Sequence, residues 1–419
     1  MKKLKLPTWI RKIGLFLAVL GPGIITASAD NDAPGIATYS MAGSTYGYSF
    51  LFIIFVVTIG EVVIQEMAAR MGVVTGKGTA DLIRERFGVK VTAFAMLSLL
   101  LANLGTTVAQ FAGIAASAEL FGVSRYIAAP LAALLVGFFV LRGSYKHVEK
   151  ILLILSLSAI GYVVTVILVD PPWGEVLRNI VVPQFSLEPS FILAVLATIG
   201  TTITPWGIFY MQASVADKGL KISDYKLTKI DVTFGATWGN IISAFIVICT
   251  AATLFDHGIS VENAEQAAMA LAPLAGDAAR VLFSAGLLGA SLLAVSVLPL
   301  STTYAFCEAF GFERGLNRSI KEAPAFYSIY LGIIVLSVLI VLIPGLPLFP
   351  IMWISQTVNA ILLPVLLVLV LKLSNNENLM GKWKNKAPQN MLAIMLTILI
   401  SIVTVLLLVT SFISPSQIQ

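Results

Sequence analysis

One carboxylate in this sequence stands where a carboxylate is costly. Asp32 lies inside an apolar stretch, in the run Ala29-Asp30-Asn31-Asp32-Ala33-Pro34-Gly35. Near the centre of a bilayer such a charge costs about 2.5–3.5 kcal/mol even on a lenient insertion scale, so it persists only beside a cation, a proton or a basic side chain. No Lys, Arg or His falls at mid-depth in any apolar run. The expected partner is therefore a transported cation. Asp30 and Asn31 are adjacent, but successive helical residues face different ways. One of the two acids is expected to face the site and the other a water-filled vestibule.

A second interruption reads Gly200-Thr201-Thr202-Ile203-Thr204-Pro205-Trp206-Gly207. Pro removes a backbone donor and Gly tolerates strained dihedrals. The carbonyls they free are tolerated at membrane depth only where they line a cavity or bind something. Thr201, Thr202 and Thr204 add hydroxyls, and hard oxygen donors suit magnesium, calcium or manganese. Gln356 and Asn359, one turn apart further on, are candidate neutral oxygen ligands; the alternative for Gln356 is an interhelical hydrogen bond.

Glu61 also sits within an apolar run. Two readings stay open for it: a second cation or proton site, or a protonated structural carboxyl. Glu66, Glu119 and Glu308 lie nearer the ends of their runs and read as interfacial. His147 and His257 fall in loops, so no membrane-embedded histidine relay is expected. There is no Walker-type phosphate loop, no HExxH and no cysteine cluster. Enzymatic chemistry and a resident cofactor are not expected. Cys249 and Cys307 read as small packing residues.

Those groups need helices to hold them. Of 419 residues, 58% are hydrophobic and 12% charged, against roughly a quarter charged in soluble proteins. Solid apolar runs rather than alternating ones argue for helices that cross a bilayer, not a β-barrel. About eleven are expected, near 13–41, 47–70, 91–121, 126–141, 147–169, 190–215, 231–255, 278–308, 325–343, 349–373 and 389–413. The basic segment 1–12 leads into the first without a cleavage site. No polar stretch could form a soluble domain; the longest, 256–277, is expected to carry a short surface helix.

Lys and Arg set the orientation. With residue 1 on the cytoplasmic side, the inner segments hold Lys2 to Lys12, Arg70 to Lys90, Arg142 to Lys150, Lys218 to Lys229, Arg314 to Lys321 and Lys372 to Lys386. Only Arg125, Arg178 and Arg280 fall outside. This regularity explains the net charge of +5, so no nucleic-acid partner is inferred. It gives a multi-pass protein of the cell's inner (plasma) membrane, monomeric, with its last helix ending outside. The two interrupted helices, first and sixth, are five apart and cross in opposite directions. That is the mark of an inverted five-plus-five repeat, with repeats at about 13–170 and 190–373 and an extra helix at 389–413.

The residues are similar to those of the Nramp family of divalent-metal transporters. The resemblance rests on Gly21-Pro22-Gly23, on Asp32 near Pro34-Gly35, and on the second-helix exit Ala68-Ala69-Arg70-Met71-Gly72-Val73-Val74-Thr75-Gly76-Lys77. Gly200-x-Thr202-x-x-Pro205 and Ser355-Gln356 extend it over nearly the whole chain. It implies a leucine-transporter-like fold. It also implies backbone carbonyl ligands at Ala29 and Thr201, joined by Asp32, Thr204, Gln356 and Asn359.

This chain departs from the family at the site itself. The first-helix motif Asp-Pro-Gly-Asn becomes Asp32-Ala33-Pro34-Gly35, so the amide ligand is replaced by Gly35. The sixth-helix Ala-Thr-Val-Met-Pro-His becomes Thr201 to Trp206; Thr204 replaces the thioether and Trp206 the histidine. The third-helix acids used in proton transfer correspond to Thr107 and Gln110. The pattern resembles the Nramp-related magnesium transporters. Shorter side chains leave room for a partly hydrated ion, and magnesium gives up water reluctantly. The expectation is uptake of Mg2+, and of Mn2+, by alternating access without proton coupling. The competing readings are a proton-coupled Mn2+ or Fe2+ symporter in which Asp30 or Glu61 carries the proton, an organic-solute symporter, and a receptor or channel.

Overall fold

The computed structural model describes residues 31–141, 160–316 and 318–413. Ala29, Asp30, the first half of the first expected helix and His147 lie outside the described residues. Each of the eleven expected spans has an apolar helix among the described residues, and none of these residues forms a strand. In chain order the helices are α1 (Ala33–Tyr46), α2 (Leu51–Thr75), α3 (Thr79–Glu119), α4 (Arg125–Leu141), α5 (Ile160–Val169), α6 (Trp173–Val181) and α7 (Pro189–Thr202). They continue with α8 (Pro205–Asp217), α9 (Tyr225–Thr253), α10 (Ala279–Phe310), α11 (Pro324–Val341), α12 (Leu348–Ser374) and α13 (Ala387–Ile413). Among the described residues, eight helical stretches are long and apolar enough to cross a membrane; α4 and α5 are shorter apolar helices beside the undescribed 142–159.

Both expected breaks start a helix in the same way. Asp32 has extended backbone and caps α1, its side chain accepting from the Gly35 N–H, with Pro34 in the first turn. Thr204 does the same for α8, accepting from the Gly207 N–H, with Pro205 in the first turn. A capping side chain takes up one of the orphan donors of a helix start, and Pro there gives up no hydrogen bond. α7 ends at Thr202 with Ile203 in non-helical geometry, so the sixth span is two half-helices.

The packing centres on α3. Helices α10 and α12 run along it, α7 lies on α12, and α9 lies across α1 and α2. One close approach is at Gly200 on α7. A Cβ there would stand 1.9 Å from the Gln356 carbonyl oxygen, so the backbones of α7 and α12 touch and only Gly fits.

Three features differ from the sequence expectation. α3 begins at Thr79 rather than near 91, because a charged first segment continues through a bend at Gly88 (φ 75°), a left-handed geometry suited to Gly. α6 was not anticipated: its nine residues are too few to cross a membrane. Trp173, Leu177 and Val181 are exposed along one stripe while Val176 is buried, the pattern of a helix lying at a membrane surface. Residues 256–277 hold not one short helix but two, Ala264–Met269 and Ala272–Ala275.

Candidate cation site

Asp32 is buried, and both of its carboxylate oxygens accept hydrogen bonds. Oδ1 takes the Gly35 N–H at 2.9 Å. Oδ2 takes the side-chain amide of Gln110 on α3. The orientation of that amide is fixed, because its oxygen accepts from the Ala33 N–H at 3.4 Å. The sequence expectation gave Asp32 a transported cation as its partner. The structure shows a neutral amide there, supplied from a helix whose polar residues had been singled out only as replaced acids.

Gln110 belongs to a polar face of α3. One turn back, Thr106 accepts from Asn359 Nδ2 (2.8 Å), which also donates to Gln356 Oε1 (2.9 Å). Gln356 Nε2 donates to Ser355 Oγ (2.9 Å). A further turn back, Asn103 Nδ2 donates to Thr302 Oγ1 on α10 (2.7 Å), and the Thr107 hydroxyl donates to the Asn103 carbonyl (2.7 Å). Spacings of three and four residues put Asn103, Thr106, Thr107 and Gln110 on one helix face. That face meets α1, α10 and α12. Among the described residues, the Asn359 and Asn103 side-chain oxygens are buried without a hydrogen-bond partner. An amide oxygen can accept from a cation's water.

The other expected ligands fall on the helices around this face. Thr201 is buried in the last turn of α7 and Thr204 caps α8. Gln356 bonds to Asn359 and Ser355 within α12, and the bond that leaves α12 is that of Asn359 to Thr106. Trp206, in the family's histidine position, is buried against Val297 and Leu298. Gly35 contributes its N–H to the cap. Asn103, Thr106 and Thr302 are additions; their sequence signal is polar residues recurring at helical spacing in an apolar run.

Glu61 belongs elsewhere. It is buried on α2 and accepts from Asn240 Nδ2 on α9. Beside it, Tyr39 and Thr202 share a hydrogen bond of 2.8 Å that joins α1 to α7.

The two ends of the bundle differ. At the end where α1 and α3 finish and α10 and α12 begin, a cavity of about 790 Å3 opens. Met41 and Thr45 line it from α1, and Trp353, three residues before Gln356, lines it from α12. Glu119, Glu262 and Glu265 stand around it with Arg125 and Arg280.

At the opposite end Glu66 pairs with Arg70 at 3.1 Å, both side chains 3% exposed. Glu66 also accepts from Tyr225 and Gln389, and Arg70 donates to the Trp383 carbonyl and Asn385. Arg314 reaches Asp81 and Glu308 at 3.5 and 3.6 Å. Two sequence readings are corrected here. Glu66 and Glu308 lie near helix ends as expected but are buried rather than interfacial, because residues distant in sequence cover them. Arg70, counted with the loop cations, is a buried helical residue. A second depression, of about 550 Å3, sits at the periphery of this end, lined from α3, α12 and α13 and from none of α1, α7 or α8.

Comparison with known proteins sets this geometry in a family. The family described as Nramp, natural resistance-associated macrophage protein-like, matches residues 23–410. The divalent metal cation transporter MntH of Erwinia tasmaniensis is 29% identical over 381 residues, covering 88% of each chain. MntH of Deinococcus radiodurans is 29% identical over 392 residues, 90% of this chain and 85% of its own. Among solved structures, the manganese transporter of Eremococcus coleocola superposes with a TM-score of 0.77 at 20% identity, over 97% of this chain and 88% of that one. MhsT in complex with L-phenylalanine does so with a TM-score of 0.60 at 16% identity, over 93% and 98%. At such identities the two structures speak for the fold alone, the leucine-transporter-like arrangement with broken first and sixth helices. Matched over its length and carrying the family's Asp32 and second-helix exit, the chain belongs to the Nramp family.

Proposed function

We propose that this chain is a secondary transporter that takes divalent metal cations, Mg2+ and also Mn2+, into the cytoplasm by alternating access and without proton coupling. The observation that carries the reading is the pairing of Asp32 with Gln110. Asp32 is presented as a two-oxygen acceptor at a broken helix, and its neighbour on α3 is a neutral amide. A second acid in that position would repel Asp32 unless protonated, which is how a proton could be coupled to the metal. An amide offers no such exchange.

The remaining chemistry is consistent. An arriving ion replaces the Gln110 amide at Asp32, and the buried oxygens of Asn359 and Asn103 accept its waters. Every ligand named is a hard oxygen, which suits magnesium and manganese over softer metals. The 790 Å3 cavity, rimmed by Glu119, Glu262 and Glu265, faces outside, and the end closed by Arg70 faces the cytoplasm. The Lys and Arg residues gathered at the closed end support that orientation. A membrane potential of 100 mV is worth about 4.6 kcal/mol for an inward divalent ion, twice the single-charge value, so no proton is needed to drive uptake. The division into repeats 13–170 and 190–373, a monomeric state and a place in the inner (plasma) membrane belong to the same proposal.

A second reading is a proton-coupled manganese symporter; the relatives' names give divalent metal cation transport and none of them speaks of a proton. Uptake into proteoliposomes carrying an internal pH dye separates the two. Saturable Mg2+ uptake without acidification is expected; Mn2+ uptake with acidification and no Mg2+ uptake would return the chain to that second reading. In the same assay Thr204→Met is expected to move preference toward Mn2+ or Cd2+. Unchanged selectivity would mean that Thr204 does not contact the ion.

A further inference from the structure

The depression of about 550 Å3 at the closed end lies between α3, α12 and α13. We propose that it holds the phosphate headgroup of an anionic phospholipid, with the acyl chains lying along α12 and α13.

The charge of the depression is one-sided. Arg86 of α3 and Lys372, in the last turn of α12, both line it, and both are exposed. Among the described residues, neither forms an ion pair with an acid. The one acid of the lining, Glu377, accepts from Lys384 at 3.2 Å. Basic residues are expected near a cytoplasmic membrane surface. Here two of them converge on one concavity between helices, the arrangement that takes up anionic lipid headgroups.

The amides of the lining are turned to donate. Asn376 Oδ1 accepts from the Asn378 and Leu379 N–H groups at 3.0 and 3.2 Å. Asn390 Oδ1 accepts from Asn375 Nδ2 at 2.7 Å. With each oxygen engaged, the Asn376 and Asn390 nitrogens face the depression as donors. Two cations and two amides match a phosphate diester, whose charged oxygens only accept, and hydrogen bonds to such oxygens are charge-assisted.

The apolar lining favours a lipid over a soluble phosphate. Phe87, Leu371 and Ile394 share the depression with the polar groups. The exposed Val368 lies one turn before Leu371 on α12, and the exposed Ile398 one turn after Ile394 on α13. α12 finishes at this end of the bundle and α13 starts there. Both steps therefore lead the same way, from the charged end into the apolar span, and give the acyl chains a path beside the headgroup. A soluble phosphate would leave that surface unused.

Arg86 belongs to the charged segment of α3 that precedes the bend at Gly88. A headgroup held by both cations would tie that segment to α12 and α13, and would bring the composition of the leaflet to bear on the closed end. Which leaflet supplies the lipid rests on the proposed orientation; the binding itself does not.

Binding is tested apart from transport. The purified, delipidated chain is melted in detergent without divalent metal, with increasing phosphatidylglycerol or, separately, phosphatidylcholine. A saturable rise of the melting midpoint with phosphatidylglycerol alone is expected. Arg86→Gln combined with Lys372→Gln should raise the half-saturating phosphatidylglycerol about thirtyfold, roughly fivefold for each cation near the headgroup. Either single substitution serves if the pair does not purify. Lys226→Gln combined with Lys229→Gln removes the same charge from α9, which does not line the depression, and should leave the response unchanged. An equal response to both lipids overturns the proposal, as does an equal loss in the α9 pair, which would show a general charge effect. A rise reproduced by glycerol phosphate at the same concentration overturns it in favour of a soluble anion. A response to phosphatidylglycerol in a chain that moves neither Mg2+ nor Mn2+ would defeat the transport reading and leave this site standing.

Discussion

The two ends of the bundle carry the same kinds of charged pairs in different surroundings. At the cavity end Arg125 pairs with Glu119 and Arg280 with Glu265, with side chains 19–63% exposed. At the closed end the Glu66–Arg70 pair is 3% exposed on both sides. Its oxygens and nitrogens are engaged by Tyr225, Gln389, Asn385 and the Trp383 carbonyl. Exposed pairs are worth little, because water competes for both partners. Buried pairs cost much to break, because parting them leaves a charge in the interior. What separates an open end from a shut one is thus solvation and the number of helices drawn into each pair. The closed-end pair gathers α2, α9, α13 and the segment before α13, while the cavity-end pairs leave a passage beside them.

The boundary between the ends is the place to break this comparison. Asp32→Ala is expected to abolish metal uptake in proteoliposomes while the protein still purifies folded; near-normal uptake would mean that the passage does not end at Asp32. Arg70→Ala comes next. It strands Glu66 at the closed end and is expected to cost about 3–5 kcal/mol, seen as a lower melting midpoint and as labelling of cysteines introduced on the α2 and α9 faces at that end. Replacing both partners, Glu66→Gln with Arg70→Met, should recover part of the midpoint, and failure to recover any would show that Arg70 acts through packing alone. Glu119→Gln at the cavity rim is the smallest change. Its effect on stability should stay within about 1 kcal/mol. Its mark should instead be slower uptake at low ionic strength that disappears in high salt. A large salt-insensitive loss would place Glu119 inside the passage.

What could be read from the sequence follows the range of the interaction involved. The helical spans are encoded by contiguous apolar runs, and all eleven were visible. The breaks at Asp32 and Thr204 were visible because Pro and Gly act on their own backbone. Partners were not visible. Glu66 and Arg70, four apart, carry the spacing of a helical pair. What buries them comes from Tyr225 and from residues 383–389, more than 150 positions away. Gln110 was noticed for what it replaces, yet its bond to Asp32 spans 78 residues. The site was therefore legible as a set of candidate ligands on α1, α7, α8 and α12, and illegible as a network organised by α3.

The contact at Gly200 bears on how such a bundle can move. Where side chains lie between two helices they can change rotamer and let the helices slide. At Gly200 nothing intervenes between α7 and α12, since a single added Cβ would fall 1.9 Å from the Gln356 oxygen. Such a joint behaves as a weld rather than a bearing. On the proposed alternating-access reading, Thr201 and Gln356 would travel as one piece, and the change of shape would fall to the non-helical backbone at Asp32 and Ile203.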